Sequence, residues 1–595
     1  YLKPAELIPR PPVDPRDRDG DGDGEGDERS GGKGKRVRGT FKKRPIDAVA
    51  DAADLLCRAV AAGGACNFSE TCKYSHDVDD YMKRKEKDLG DACPLFTAFQ
   101  YCRYGVTCRF ARAHTAQADG THRNVDERPA DERSVEDPTM LHETNALTDA
   151  VRMQLRKNTY PFASAQQNKK NKFQKGKPQN RNQEKVEQAA AAAAEGIEDV
   201  QAEVELKEEV VVQETKPAID DVEKSESPLL PERKPVDFKR KIYVAPLTTV
   251  GNLPFRRLMK QLGADITCGE MAMATNLLKA QQSEWALLRR HESEDVFGVQ
   301  LAGAYGDQMA RVCELLARET DVDFIDINMG CPIDIVCKAG AGSALMTRPP
   351  RLLEVISGAL TGIELGSRER VLSPPGLTVK LRTGWSDKTP VAHKLLPKIQ
   401  ATRASSLYMN ASVVQDYKLR AVQSVDAITS DGTVAMVGGG DVMSFQEFDD
   451  HLKNGKLATC MIARGALIKP WLPTEIKERR HMDISSSERL ELLKDFVRFG
   501  LEHWGSDQKG VNRTRRYLLE WQSFLCRYIP VGLLEVLPQR INSRPAPYYG
   551  RDDLETLMAS DQAVDWIKIS EMLLGPVPSG FQFKPKHKAN AYTTA

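Results

Sequence analysis

Cysteine is scarce: 12 in a chain of 595 residues, too few for a scaffold built on disulfides. No run of about 18 apolar residues offers a membrane span. The sequence does not open with a charged segment followed by an apolar one, so export is not expected. A net charge of +1 excludes a uniformly basic or acidic chain, although it hides segregated blocks. Histidine, 10 in all, is absent between His393 and His451. Reduced thiols in the cytosol or nucleus fit this cysteine usage, and the length calls for more than one domain.

The thiols that are present are unevenly spread, and six of them fall between Cys57 and Cys108. Cys57, Cys66, Cys72 and His76 are spaced C-x8-C-x5-C-x3-H. Three thiolates and an imidazole close a tetrahedral zinc site, and in so small a piece the metal replaces most of a core. Cys93, Cys102 and Cys108 repeat the first two gaps; no histidine stands at the x3 position, and His114 supplies the fourth ligand at x5. Residues 51–116 therefore read as two zinc fingers. Phe68, Lys73, Tyr74, Tyr101, Arg103, Tyr104, Arg109 and Phe110 interleave rings and cations. Such groups stack on unpaired bases and hold phosphates. Packing the finger core is the competing use, above all for Tyr74 and Phe110.

Around the fingers the composition is that of tails and tethers. Residues 1–50 read as a disordered tail; its Asp-Gly repeat at 19–24 lacks the closing glutamate of a calcium loop. Residues 33–44 hold seven Lys/Arg and no acid, suited to phosphate contact, nuclear import or simple solvation. Residues 117–237 read as a disordered linker with a basic tract at 167–185 and an acidic one at 195–226. Helical spacing of Leu141, Leu147, Val151 and Leu155 marks an exception within 138–155.

From residue 238 to 475 short apolar runs alternate with amphipathic helical stretches. Strands are expected at 242–245, 265–267, 296–301, 322–327, 378–381, 406–409, 435–437 and 460–462. Eight such units fit an α/β fold, the (β/α)8 TIM barrel, with a doubly wound sheet as the alternative. Residues 476–595 turn helical. A helix over 485–501 has a capping box in Ser485 and Glu488. Arg513, Arg515, Arg516 and Arg527 suit either nucleic-acid contact or a solvated helix face.

Polar residues gather at the strand ends: Gln300 on the third, Asn328 and Cys331 on the fourth, Lys380 and Arg382 on the fifth. Gly438-Gly439-Gly440-Asp441 and Ala463-Arg464-Gly465 follow strands seven and eight, where barrels build a phosphate cup. A cofactor phosphate at that rim with Lys380 and Cys331 near the centre suggests FMN redox chemistry. Taken singly, Cys331 reads first as a buried structural thiol, and only the joint pattern points to chemistry.

The segments Ala245-Pro246-Leu247-Thr248, Asn328-Met329-Gly330-Cys331-Pro332, Gly340-Ala341-Gly342-Ser343, Val379-Lys380-Leu381-Arg382-Thr383-Gly384-Trp385 and Ile462-Ala463-Arg464-Gly465-Ala466 resemble those of tRNA-dihydrouridine synthases. The paired fingers resemble the eukaryotic branch that acts on position 47. The resemblance implies FMN-dependent reduction of uridine to 5,6-dihydrouridine in tRNA, with NADPH or NADH as electron donor and Cys331 protonating C5. It places Pro246, Leu247, Thr248, Gln300 and Lys380 on the flavin, and Gly439, Gly440, Asp441, Ala463 and Arg464 on its phosphate side. It implies a monomer with a helical tRNA-holding domain, and it leaves mRNA open as a second substrate. One departure stands out: the His-Gly-Arg turn expected after strand six is missing, with Asn410 nearby and Gly439 in place of an asparagine after strand seven. A weakened or inactive RNA-binding protein on a synthase barrel is therefore the alternative. A barrel flavoenzyme for a small substrate is a third reading, disfavoured by the fingers and basic tracts.

Overall fold

The computed structural model describes residues 55–118, 121–134, 137–164, 236–368, 374–382, 384–386, 389–402, 407–412, 436–439, 442–455, 457–578 and 580–586. The tail at 1–50 and the basic and acidic tracts lie outside them.

The apolar runs become eight strands: β1 Tyr243–Val244, β2 Ile266–Cys268, β3 Val296–Ala302, β4 Phe324–Met329, β5 Gly376–Arg382, β6 Leu407–Ser412, β7 Met436–Gly439 and β8 Thr459–Ile462. Each pairs in parallel with the next, β8 pairs with β1, and the ring is closed. Near-continuous apolar strands are what a parallel barrel requires, since both faces of its sheet are covered. Phe238, just before β1, plugs the N-terminal end of the ring. Its ring lies 5.8 Å from Phe324 and 5.9 Å from Tyr243. Gly298 on β3 is obligatory here, because a Cβ would fall 2.1 Å from the Phe324 ring.

The outer helices used below are α1 Leu253–Gln261, α2 Gly306–Glu319, α3 Pro349–Ser367 and α4 Phe445–Gly455. Asn252 caps α1 by accepting from the Phe255 N–H at 3.2 Å, and Pro254 fits its first turn. Phe255, Leu258 and Met259 on its inner face are fully buried, each contributing roughly 1.5–3 kcal/mol relative to exposure. Helices α2 and α3 pack backbone to backbone along Gly358, Gly362 and Gly366, four residues apart. A Cβ at Gly362 would sit 2.1 Å from the Ala310 carbonyl oxygen.

Beyond the barrel come α5 Ser486–Trp504, α6 Gln508–Leu525, α7 Asp553–Met558 and α8 Ala563–Leu574. The capping box of α5 is present: Ser485 Oγ accepts from Glu488 N–H, and Glu488 accepts from Ser485 N–H at 2.7 Å. Trp521 of α6 seals this domain to the barrel, its ring 5.5 Å from Phe255 and its N–H donating to the Leu467 carbonyl at 3.1 Å. Arg515 and Arg527, two of the four arginines suited to nucleic acid or solvent, are instead buried. Arg515 donates to the Leu574 and Gly575 carbonyls, and Arg527 to that of Ile541.

The reading of residues 117–237 as one disordered linker needs correction. Residues 121–124 close a hairpin with Thr115–Ala118. Residues 137–164 lie against the barrel. Their helix, Asp149–Arg156, is shorter than the spacing suggested and buries Val151 and Leu155 in the barrel core. Asn145 donates to the Leu288 and Asp321 carbonyls and accepts from the Asp321 N–H. The fully buried Glu314 of α2 accepts from the N–H groups of Ala163 and Ser164. Apart from that helix, the contacts run between side chain and backbone, which is why polar composition concealed them.

Candidate active site and metal centres

At the C-terminal end of β4 four polar side chains form one network. Asp326, fully buried, accepts from Thr378 Oγ at 2.5 Å and from Gln300 Nε2 at 2.7 Å. Gln300 Oε1 accepts from Asn328 Nδ2 at 2.8 Å. Asn328 Oδ1 then accepts the N–H groups of Cys331, at 2.8 Å, and Gly330, at 3.1 Å. Burial pushes the Asp326 carboxyl above its ordinary range; the Thr378 and Gln300 donors oppose that shift. Asn328 is thus held in one orientation and fixes the turn that carries Cys331.

A second clamp comes from the glycine-rich segment. The Cys331 carbonyl accepts from Ser343 N–H and Ser343 Oγ, each at 3.0 Å. Gly342 has φ +61°, and a Cβ there would lie 2.6 Å from the Cys331 carbonyl oxygen. Glycine is the residue that meets both demands. The thiol itself is half-buried, at the mouth of the barrel.

Lys380 lies one strand away, in register with Asn328. Dehydration pushes its ammonium below the usual lysine range; Asp326 pulls the other way, and Arg382 adds to the depression. Among the described residues Lys380 has no hydrogen-bonding partner. Such a cation suits an anionic or carbonyl-rich ligand. Pro246, Leu247 and Thr248 follow β1, Gly439 ends β7, and Ala463 and Arg464 follow β8, all at this same end of the ring. Arg464 is exposed, and its Nη1 donates to Asn542 Oδ1 at 3.2 Å. Gly440, Asp441 and the turn after β6 fall outside the described residues; Asn410 sits on β6, in register with Lys380. Gln300, expected on the flavin, spends both ends of its amide on Asp326 and Asn328. The donor set — an unpaired lysine, a glycine-ended strand and an exposed arginine — fits a phosphate-bearing, electron-rich ring cofactor such as FMN. Asp326 and Thr378 were missed as members of the site. The signal available was an acid inside an otherwise apolar strand.

The metal-ligating residues converge in two sets. The ligand atoms of Cys57, Cys66, Cys72 and His76 lie within 4.8 Å of one another, and so do those of Cys93, Cys102, Cys108 and His114. The longer gap before His114 is taken up by a 3-10 turn, Ala111–Ala113. His114 Nδ1 faces Asn124 Oδ1 at 3.0 Å, which leaves its buried Nε2 without a protein partner and directed to a metal. Three thiols with one imidazole fit Zn2+ in both sets. Asn124 was not foreseen, and neither was Ser506, whose Oγ lies 3.0 Å from Cys108 Sγ and 3.4 Å from Cys102 Sγ. Ser506 is some 400 residues away, beyond any local pattern.

Comparison with known proteins matches this geometry. Residues 243–521 match the family described as "Dihydrouridine synthase (Dus)". Residues 48–84 and 85–117 each match "DUS3L CCCH zinc finger domain". A Homo sapiens protein named "tRNA-dihydrouridine(47) synthase [NAD(P)(+)]-like" is 47% identical over 568 residues, covering 94% of this chain and 84% of that one. An Oryza sativa subsp. japonica protein of the same name is 44% identical over 91% of this chain and 86% of its own. The Coprinopsis cinerea "tRNA-dihydrouridine(47) synthase [NAD(P)(+)]" is 39% identical over 93% and 89%. The likeness runs along nearly the whole length of these relatives, and the chain belongs to the dihydrouridine synthase family.

Proposed function

We propose that this protein reduces uridine to 5,6-dihydrouridine in tRNA, at position 47, with Cys331 as the proton donor. The observation that carries the assignment is the double clamp on Cys331, one strand from Lys380, whose ammonium has no partner among the described residues. A flavin bound at this end of the barrel, with NADPH or NADH as its electron source, would supply the hydride for C6 of the uracil ring. Lys380, Thr248 and the backbone around Pro246 and Leu247 would hold its ring, and Gly439, Gly440, Asp441, Ala463 and Arg464 its phosphate. Lys380 favours negative charge on that ring. Cys331 gives its S–H proton to C5, so that one hydride and one proton add across the C5=C6 bond, and the thiolate recovers a proton from water. A thiol serves because it is neutral near pH 7 and its proton transfers directly. The base must leave its stack to reach the mouth. Trp385 and Ile335, exposed beside that opening, offer surfaces against which it can rest.

The reading takes the protein as a monomer of the cytosol or nucleus, with tRNA, and in some settings mRNA, as its partner. Among the described residues no helix is long and apolar enough to cross a membrane. Incubation with NADPH and tRNA lacking the modification should yield dihydrouridine by mass spectrometry. Cys331→Ala should bind FMN yet form no product; full activity in that variant would refute the acid assignment. The histidine missing after β6 favours a second reading, a non-catalytic RNA-binding protein. Purified protein that stays colourless when mixed with FMN would support it.

A further inference from the structure

The two fingers have equivalent ligands but opposite surroundings. In the second finger, the rings and cations picked out from the sequence are already engaged; Arg112 is the exposed cation there, 3.6 Å from Asp91. Tyr101 lies under Arg128, whose guanidinium is 4.2 Å from the ring centre. Arg103 pairs with Asp137 and donates to Tyr104 Oη at 3.1 Å. Tyr104 fills the hollow left by Gly505, where a Cβ would lie 2.1 Å from its hydroxyl. Arg109 pairs with Glu86 at 2.6 Å, donates to the Lys87 carbonyl, and reaches Gln508 at the start of α6. Phe110 is buried. The backbone of this finger joins the turn between α5 and α6: Arg109 N–H donates to the Ser506 carbonyl at 2.8 Å, and Cys108 bridges to Asp507.

Among the described residues the first finger is fastened only on one side. Leu56 and Ala61 pack on Val106 of the second finger, with Gly105 permitting the Ala61 carbonyl to approach. Its other face is open. Phe68 is 70% exposed and Tyr74 48%, both beside ligands of one set, and Lys73 between them is exposed as well. A 70% exposed phenylalanine in a piece this small is not part of its core. In sequence the seven Lys/Arg of residues 33–44 lie just upstream.

We propose that the fingers divide the work. The second is a structural joint whose metal centre fastens the N-terminal segment to the α5–α6 turn of the helical domain. The first holds unpaired nucleotides of the RNA substrate, with Phe68 and Tyr74 stacking on bases and Lys73 on phosphates. This rests on the reading of the protein as a tRNA enzyme.

The test uses the full-length protein and two fluorescent probes, an unstructured RNA oligonucleotide and tRNA lacking dihydrouridine. Phe68→Ala/Tyr74→Ala should weaken binding of both by about tenfold or more, as expected for lost base stacking, with an unchanged melting temperature. Arg109→Ala, or the milder Ser506→Ala should the first not fold, should lower the melting temperature by several degrees. Its RNA affinity, measured well below melting, should stay within about twofold. The division falls if the double variant keeps wild-type affinity for both probes, or if the joint variants lose RNA binding without losing stability. A wild-type protein that binds the oligonucleotide through Phe68 and Tyr74 but makes no dihydrouridine would overturn the enzymatic reading and leave the division standing.

Discussion

Asn328 shows how much of this site rests on one amide. Its oxygen holds two N–H groups of the Cys331 turn, and its nitrogen ties that turn to Gln300 and the buried Asp326. Asn328→Ala removes all three bonds and leaves two N–H groups and the Gln300 oxygen unpaired. The expected stability cost is about 1–3 kcal/mol, read by urea unfolding. Misplacing the proton donor should cost more, about 100-fold in the rate of dihydrouridine formation, with FMN binding retained. A loss of stability with an unchanged rate would make the network a purely structural device. Cys331 and its neighbours could be named from sequence because they follow an apolar strand. The amide network could not, since it links residues 300, 326, 328 and 378, which only barrel closure brings together.

At the scale of elements, the α2–α3 pair is an unforgiving contact. Glycines at 358, 362 and 366 let one backbone lie on the other, with a Cβ at Gly362 placed 2.1 Å from Ala310. On an exposed helix face, glycine to alanine would gain roughly 0.8–1.0 kcal/mol. Here Gly362→Ala should instead cost about 1–3 kcal/mol by overpacking, seen as a lower urea midpoint at an unchanged m-value. A stabilised variant would mean that the helices separate without penalty. All eight strands were legible to within a few residues, because buried parallel strands announce themselves as apolar runs between turns. The four-residue glycine spacing in α3 was present in the text, but its partner surface was not.

For the whole molecule, the junction of barrel, helical domain and linker segment is built from histidines and acids. His503 Nδ1 lies 2.7 Å from Glu143, and His142 Nδ1 lies 2.8 Å from Glu292. His291, stacked 6.5 Å from His142, is driven down to about 4 by burial, with Arg257 adding to the effect. A base with a depressed folded pKa disfavours its charged form. The unfolded chain takes up that proton near pH 6.5, and the native one resists until about pH 4. Stability is therefore complete above pH 6.5 and declines as the pH falls toward 4. Glu143 adds to the same trend: burial raises its pKa, the His503 contact outweighs that, and its stabilisation is lost as the carboxylate protonates. Melting temperature should fall across this window in the wild type and fall less in His291→Gln. Parallel pH profiles would show that the junction does not titrate there.

The sequence by itself determined the metal-ligand sets, the eight barrel strands and the thiol at the end of the fourth. Each is a local pattern: fixed ligand spacing, an apolar run, or a turn after a strand. Tertiary structure alone decided which side chains those patterns leave free. It buried Arg515, Arg527 and Phe110, drew residues 137–164 onto the barrel, and joined Cys108 to Ser506 across some 400 residues. The physical reason is that spacing determines what a residue can reach, whereas burial and partnership depend on surfaces far apart in the chain that meet only when it folds.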